Sequence, residues 1–173
     1  MPTVDDERES ERQAALDAFE LDEFAETAYD DLVRVAADVC QTPVALIAIV
    51  DGERLWFKAK LGIEVSEVPR VGSFCAHAIL AAEEVLVVED ASMDPRFAAS
   101  PLVTGAPHIR FYAGAPLVTS TGHAIGAICV IDTKPRSITN EQMGELRFLA
   151  QQVVIALEER KRWRGVERSG RPG

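Results

Sequence analysis

Apolar and polar positions alternate most cleanly between Ile109 and Leu117. Ile109, Phe111, Ala113, Ala115 and Leu117 share one face at the two-residue period of a strand, and Arg110, Tyr112, Gly114 and Pro116 share the other. A guanidinium and a phenol on the same face as a glycine point to a strand that buries one side and lines a cavity with the other. The run from His123 to Asp132 is apolar on both faces, which predicts a central strand. The two form a β-hairpin between Pro107 and Pro135. Val44 to Val50 carries no polar residue and predicts another strand buried on both sides. Asp51-Gly52 is a turn signal, and Leu55 to Lys60 reads as the return strand. Its alternation sets Leu55, Phe57 and Ala59 against Trp56, Lys58 and Lys60. Val85 to Glu89 predicts a further strand.

Three- and four-residue steps mark the helices. Phe24, Ala28, Leu32, Val35, Ala36 and Val39 predict a helix that Pro43 ends. Ser73 reads as the N-cap of a short helix reaching Ala81, and Asp94-Pro95 as a cap with proline at the first helical position. Thr139 to Gln142 has the pattern of a capping box. Behind it, Leu146, Leu149, Val153, Ala156, Arg160 and Trp163 form a seam long enough for a core or a helix–helix interface. Strands joined mostly by short turns, with helices on the faces, predict an antiparallel sheet in an α+β domain or an α/β/α sandwich. The 173 residues divide into an acidic, disordered N-terminus (1–14), one domain (15–163) and a basic flexible tail (164–173).

Charge sharpens this picture. Residues 1–31 hold twelve acids and two arginines, which accounts for the whole net charge of −10. From Arg160 onward six basic residues face one acid, so the two ends are complementary and terminal helices can lie side by side. The basic stretch lacks interleaved aromatics beyond Trp163, which argues against nucleic-acid binding. No apolar run approaches a membrane span, and the acidic start is no export signal. Cys40, Cys75 and Cys129 are odd in number and widely spaced, arguing against a disulfide framework or thiolate metal site and for a cytoplasmic setting.

Five segments occur in a telling order: WFKAKLG (Trp56 to Gly62), SFCAHAI (Ser73 to Ile79), DPRF (Asp94 to Phe97), HIRFYAGAPL (His108 to Leu117) and GAICVIDTKPR (Gly126 to Arg136). Together they resemble the GAF domain family, in particular the GAF domains found ahead of bacterial histidine kinases and diguanylate cyclases. The resemblance implies a central antiparallel sheet of five to six strands, terminal helices on one face, and short helices and loops enclosing a pocket on the other. It also implies a non-catalytic cytoplasmic sensor for an unknown small molecule, with no cofactor identified. The output would run through a homodimer of the first and last helices to a histidine-kinase or diguanylate-cyclase effector. The alternatives within the family are a structural dimerisation module with no ligand and a thiol redox enzyme resembling free-methionine sulfoxide reductase.

The candidate ligand-binding residues lie in or near these segments: Arg110, Tyr112, Trp56, Lys58, Arg70, Phe74, Cys75, His77, Asp90 and Arg96. They fit two arrangements. They converge on a pocket, where arginine offers a fork for a carboxylate or phosphate and the aromatics a stacking wall. Otherwise they form a network, with Arg110 or Arg96 paired to Asp90 or Asp94, that pins loops over the sheet. Cys75 falls in the first turn of the helix capped by Ser73, where unpaired N–H groups lower a thiol's pKa, but a buried structural cysteine is the commoner case for such a residue. Free-methionine sulfoxide reductases are GAF proteins with a cysteine resembling Cys75 in position. Their later cysteine-bearing loop reads TGAPHIRFY here, without a thiol, while Cys40 and Cys129 look like core residues. The Asp-Ile-Pro motif of bilin-binding relatives is absent. No phosphate-cradling glycine loop, histidine pair or nucleophile triad stands out, so no catalytic or metal-binding residue is assigned.

Overall fold

The computed structural model describes residues 3–169. Helix α1 (Val4–Asp17) begins on a capping box. Asp6 N–H donates to the Thr3 hydroxyl, and Thr3 N–H donates back to the Asp6 carboxylate. Asp5, Asp6 and Glu7 then occupy the first turn, where the helix dipole favours negative charge. The expected disordered N-terminus is therefore corrected: from Val4 it is helical. Arg12 and Leu16 bury against the rest of the fold.

Helix α2 (Thr27–Cys40) ends at Gln41 in the left-handed conformation. It buries Tyr29, Val33, Ala36, Ala37 and Cys40; of the expected stripe, Ala36 is buried, Leu32 and Val39 pack half-buried against the core, and Ala28 and Val35 are exposed. Two apolar stripes run side by side on this helix, and only the sheet selects between them. Val35 is left 44% exposed, and Phe24 lies outside the helix at 77% exposure.

Six strands follow: β1 (Val44–Asp51), β2 (Arg54–Leu61), β3 (Glu67–Pro69), β4 (Leu86–Val88), β5 (Phe111–Val118) and β6 (Ala124–Asp132). They form one sheet in the order β3-β2-β1-β6-β5-β4, with every neighbouring pair antiparallel. The predicted all-apolar strands, β1 and β6, are its centre, because only central strands are covered on both faces. The long α5 (Asn140–Ser169) opens on the predicted capping box, Gln142 N–H donating to Thr139 Oγ1 and Thr139 N–H to Gln142 Oε1. It runs through residue 164, where a flexible tail was expected; residues 170–173 lie outside the described residues.

Helices α1, α2 and α5 cover one face of the sheet around Ile47, Ile49, Phe111, Leu117, Ile128, Val153 and Leu157. The other face is covered by short pieces: α3 (Phe74–Ala78), a 3₁₀ turn (Ala91–Met93), α4 (Pro101–Thr104) and their loops. Ser73 caps α3 by accepting from Ala76 N–H, but the helix stops at Ala78, short of Ala81. Asp94 caps the expected short helical turn: its carboxylate accepts from Arg96 N–H and its carbonyl from Phe97 and Ala98 N–H. Strand β3 and helix α4, three and four residues long, are too short for periodicity to reveal.

Two local irregularities change which side chains meet the cavity. In β2, the register with β1 shifts between Ile47 and Ala48, so Lys58 is an extra, bulged residue. Ala59 then joins Trp56 on the helical face, while Leu55 and Phe57 face the other way. Before β5, His108 adopts φ 60°, and Ile109 turns to the face opposite Phe111.

Candidate functional site

Between the sheet and the loop-covered face lies a cavity of about 230 Å³. Leu46, Leu55, Phe57, Tyr112, Cys129 and Ile131 come from the strands, Ser73, Phe74 and Cys75 from α3 and its cap. Ile63, Val65, Val68, Leu102 and Ile109 close the sides and top. No lining residue carries a charge. The volume exceeds the roughly 150 Å³ of an apolar cavity that holds benzene, and falls short of the roughly 300–1,000 Å³ of drug-sized sites.

Tyr112, Phe74 and Cys75 are the predicted residues that meet this cavity. The Tyr112 hydroxyl lies 3.1 Å from Cys75 Sγ, and Cys75 Sγ lies 4.0 Å from Cys129 Sγ. Gly114 makes this possible. A Cβ there would stand 2.2 Å from the Tyr112 hydroxyl, so the phenol leans along its strand into space that only glycine leaves free. An aromatic column continues outward: Tyr112 stacks on Phe74 at 5.0 Å and Phe74 on Phe97 at 4.3 Å.

The other predicted ligand residues stand elsewhere, as braces. Arg96 binds Asp94 at 2.8 Å and lies over the Phe97 ring, while the His77 ring meets Phe97 edge-on. Asp94, held by the Arg96 guanidinium, has a lowered pKa, and Arg96 is correspondingly raised. Asp90 accepts from Ser92 N–H and hydroxyl and caps the 3₁₀ turn, so it pairs with neither arginine. Arg110 donates to the Val103 and Ile109 carbonyls, both at 3.0 Å, and so clamps α4 over the cavity rather than reaching into it.

Trp56 and Lys58 face the terminal helices, opposite Leu55 and Phe57, as strand alternation groups them; the β2 bulge moves only Ala59 to join Trp56. Trp56 Nε1 donates to Asp51, and the Lys58 ammonium donates to the Asp22 and Phe24 carbonyls at 3.0 and 2.8 Å. Lys58 also pairs with Asp22 and Glu26, both at 3.3 Å, and those acids meet Arg160. The charge complementarity of the two chain ends thus acts between α5 and the α1–α2 linker. Burial raises the Asp22 pKa, but the Lys58 ammonium, the Phe24 N–H and Arg160 together outweigh it and the net direction is down. Arg70 binds Glu9 at 2.6 Å and the Gly52 carbonyl, fixing α1 to the β1–β2 turn. Its partner Glu9 is lowered to about 2, chiefly by the hydrogen bond from Arg12, with Arg70 adding to it against partial burial.

Cys129, a core residue by its strand context, belongs with the cavity. The hairpin register carries the reason: Gly114 pairs with Cys129 and Tyr112 with Ile131, so all four share a face. Hydrogen bonding to Cys129, aided by Tyr112, draws the Cys75 pKa down against its burial. Cys129 is pushed up by its bond to Cys75 and by burial, and burial raises Tyr112 in the same direction.

The GAF domain family matches residues 25–157, and the chain belongs to that family. It is 47% identical over 153 residues to a protein of Pseudomonas aeruginosa named a cyclic di-GMP phosphodiesterase. The match covers 87% of this chain and 26% of that protein, so the chain spans about a quarter of this relative's length. Among solved structures, a type II free methionine-R-sulfoxide reductase from Thermoplasma acidophilum superposes with a TM-score of 0.64 at 17% identity, covering 79% of this chain and 94% of its own. The GAF domain of an Acinetobacter phosphoenolpyruvate-protein phosphotransferase gives 0.63 at 21% identity, covering 75% and 80%. A domain of a Sinorhizobium meliloti sensor histidine kinase gives 0.60 at 19%, covering 83% and 97%. At these identities the structural likeness concerns the fold.

Proposed function

We propose that this GAF domain is a non-catalytic regulatory sensor whose cavity takes a small, uncharged, largely apolar molecule. The observation that carries this is the lining: apolar side chains with two thiols and two hydroxyls, and no cation to hold a phosphate or carboxylate. The ligand class expected from Arg110 and Arg96 therefore shifts from anionic to neutral. The Pseudomonas aeruginosa relative supports placing such a sensor in a protein that controls cyclic di-GMP, with a phosphodiesterase module as the effector. Cyclic di-GMP itself, large and doubly anionic, does not suit this cavity.

The output surface we propose is the outer side of α5. Phe148, Ile155, Trp163 and Val166 fall on one exposed stripe of that helix, with Trp163 68% exposed. A second copy packed there, giving a homodimer, would let ligand binding favour one helix packing over another. Light scattering at tens of micromolar checks the dimer, and a monomer refutes it. For the cavity, a panel of neutral aromatics of phenol and indole size is tested by thermal shift and native mass spectrometry. At least one raises the midpoint of the wild-type protein, and Val68→Phe, which fills the cavity, abolishes the rise. No shift across the panel, or equal shifts in both proteins, overturns the proposal.

A further inference from the structure

We propose that Cys75 and Cys129 form an oxidisable dithiol at the cavity floor, which a small apolar hydroperoxide converts to a disulfide. The two sulfurs stand 4.0 Å apart, in contact but unbonded. A bond needs them at about 2.05 Å, so each sulfur must move by about 1 Å. Both line a cavity whose walls reject charge, which sets the oxidant class as neutral and apolar. The third thiol, Cys40, is buried in the helical face and plays no part. Among the described residues no group of three or more metal-ligating side chains forms, so the pair lacks the additional ligands of a closed metal site.

The group is ordered for this chemistry. Deprotonated Cys75 accepts from the Tyr112 hydroxyl on one side and the Cys129 thiol on the other, which makes it the attacking thiolate. Its sulfur attacks the terminal oxygen of ROOH, the O–O bond breaks, and RO⁻ leaves and is protonated to ROH. Cys75 becomes a sulfenic acid. The Cys129 sulfur then attacks the Cys75 sulfur, the S–O bond breaks, and hydroxide leaves as water with the Cys129 proton. Two thiols and one hydroperoxide thus give one disulfide, one alcohol and one water; an external dithiol reverses the change. The bond would tie α3 directly to the central strand β6.

This site shares the sensor cavity but does not require a reversible ligand there. The test uses the reduced full chain with cumene hydroperoxide as the oxidant, followed by alkylation under denaturing conditions and peptide mapping. Wild type loses two of its three alkylatable thiols, its mass falls by two hydrogens, and the linked peptides carry Cys75 and Cys129. Cys129→Ser leaves a sulfenic acid that dimedone traps at Cys75, and Cys75→Ser gives neither product. Three thiols still reactive after treatment, a bond involving Cys40, or a bond between chains overturns the proposal. Failure of the neutral-aromatic panel would leave these results standing, so the two outcomes are separable.

Discussion

Replacing Lys58 with methionine removes the best-buried charge among the described residues while keeping most of its stem. The Lys58 side chain is fully buried, and its ammonium serves the Asp22 and Phe24 carbonyls and the Asp22 and Glu26 carboxylates. Each carbonyl that loses its donor costs about 1 kcal/mol. Breaking a buried ion pair costs about 3–5 kcal/mol when the remaining charge is stranded. Here the two acids are 37% exposed and keep Arg160, so solvent and the second cation reduce that share to about 1 kcal/mol. The sum is about 3 kcal/mol, a large fraction of the roughly 5–15 kcal/mol that holds a domain folded. Urea unfolding followed by tryptophan fluorescence should show the midpoint falling by about 1–1.5 M at an unchanged slope. Limited proteolysis should find the α1–α2 linker cut first, because Lys58 ties it to β2. A Lys58→Met variant within about 0.5 kcal/mol of wild type would refute the clamp.

Gly114→Ala drives a Cβ into the Tyr112 hydroxyl, so it should destabilise by about 1–3 kcal/mol and raise the alkylation rate of native Cys75; unchanged stability would sink the steric reasoning. Glu9 has a folded pKa of about 2 against about 4.3 unfolded, so its stabilisation is complete above pH ~4.5 and is lost as pH falls towards 2. With over a third of the side chain exposed, that contribution is about 1 kcal/mol, and Glu9→Gln should flatten this part of the stability–pH curve measured by urea unfolding. Leu157→Ala should cost about 2–4 kcal/mol by calorimetry, because its side chain is buried where α5 meets the sheet.

The strands most legible in the sequence were those with the least freedom. Val44 to Val50 and the second arm of the hairpin have no polar side to expose, so they had to be central. The capping box at Thr139 is a local event, complete within four residues, and it formed as read. Tyr112 was placed in the cavity by alternation alone. Arg110, its neighbour in the same pattern, was not, because the strand begins only at Phe111 and the preceding residues turn. Trp56 and Lys58 lie opposite Leu55 and Phe57 as the alternation groups them, but alternation separates the two faces without saying which meets the cavity, and theirs meets the helices; the bulge moves Ala59, with no signal in the pattern. Arg70 and Arg96 share one lesson: an arginine near acids is as well suited to holding two segments together as to holding an anion. Only the distances separate the two roles.

The family is written in the five ordered motifs, and the antiparallel sheet, its central strands and the long final helix are written in periodicity and capping, which act over a few residues. The tertiary structure decided that the cavity is neutral, that Cys129 joins Cys75 beneath Tyr112, and that the charged candidates brace the loops and helices around it. These depend on strand register and on contacts between distant segments, and a shift of one residue in a strand exchanges its faces.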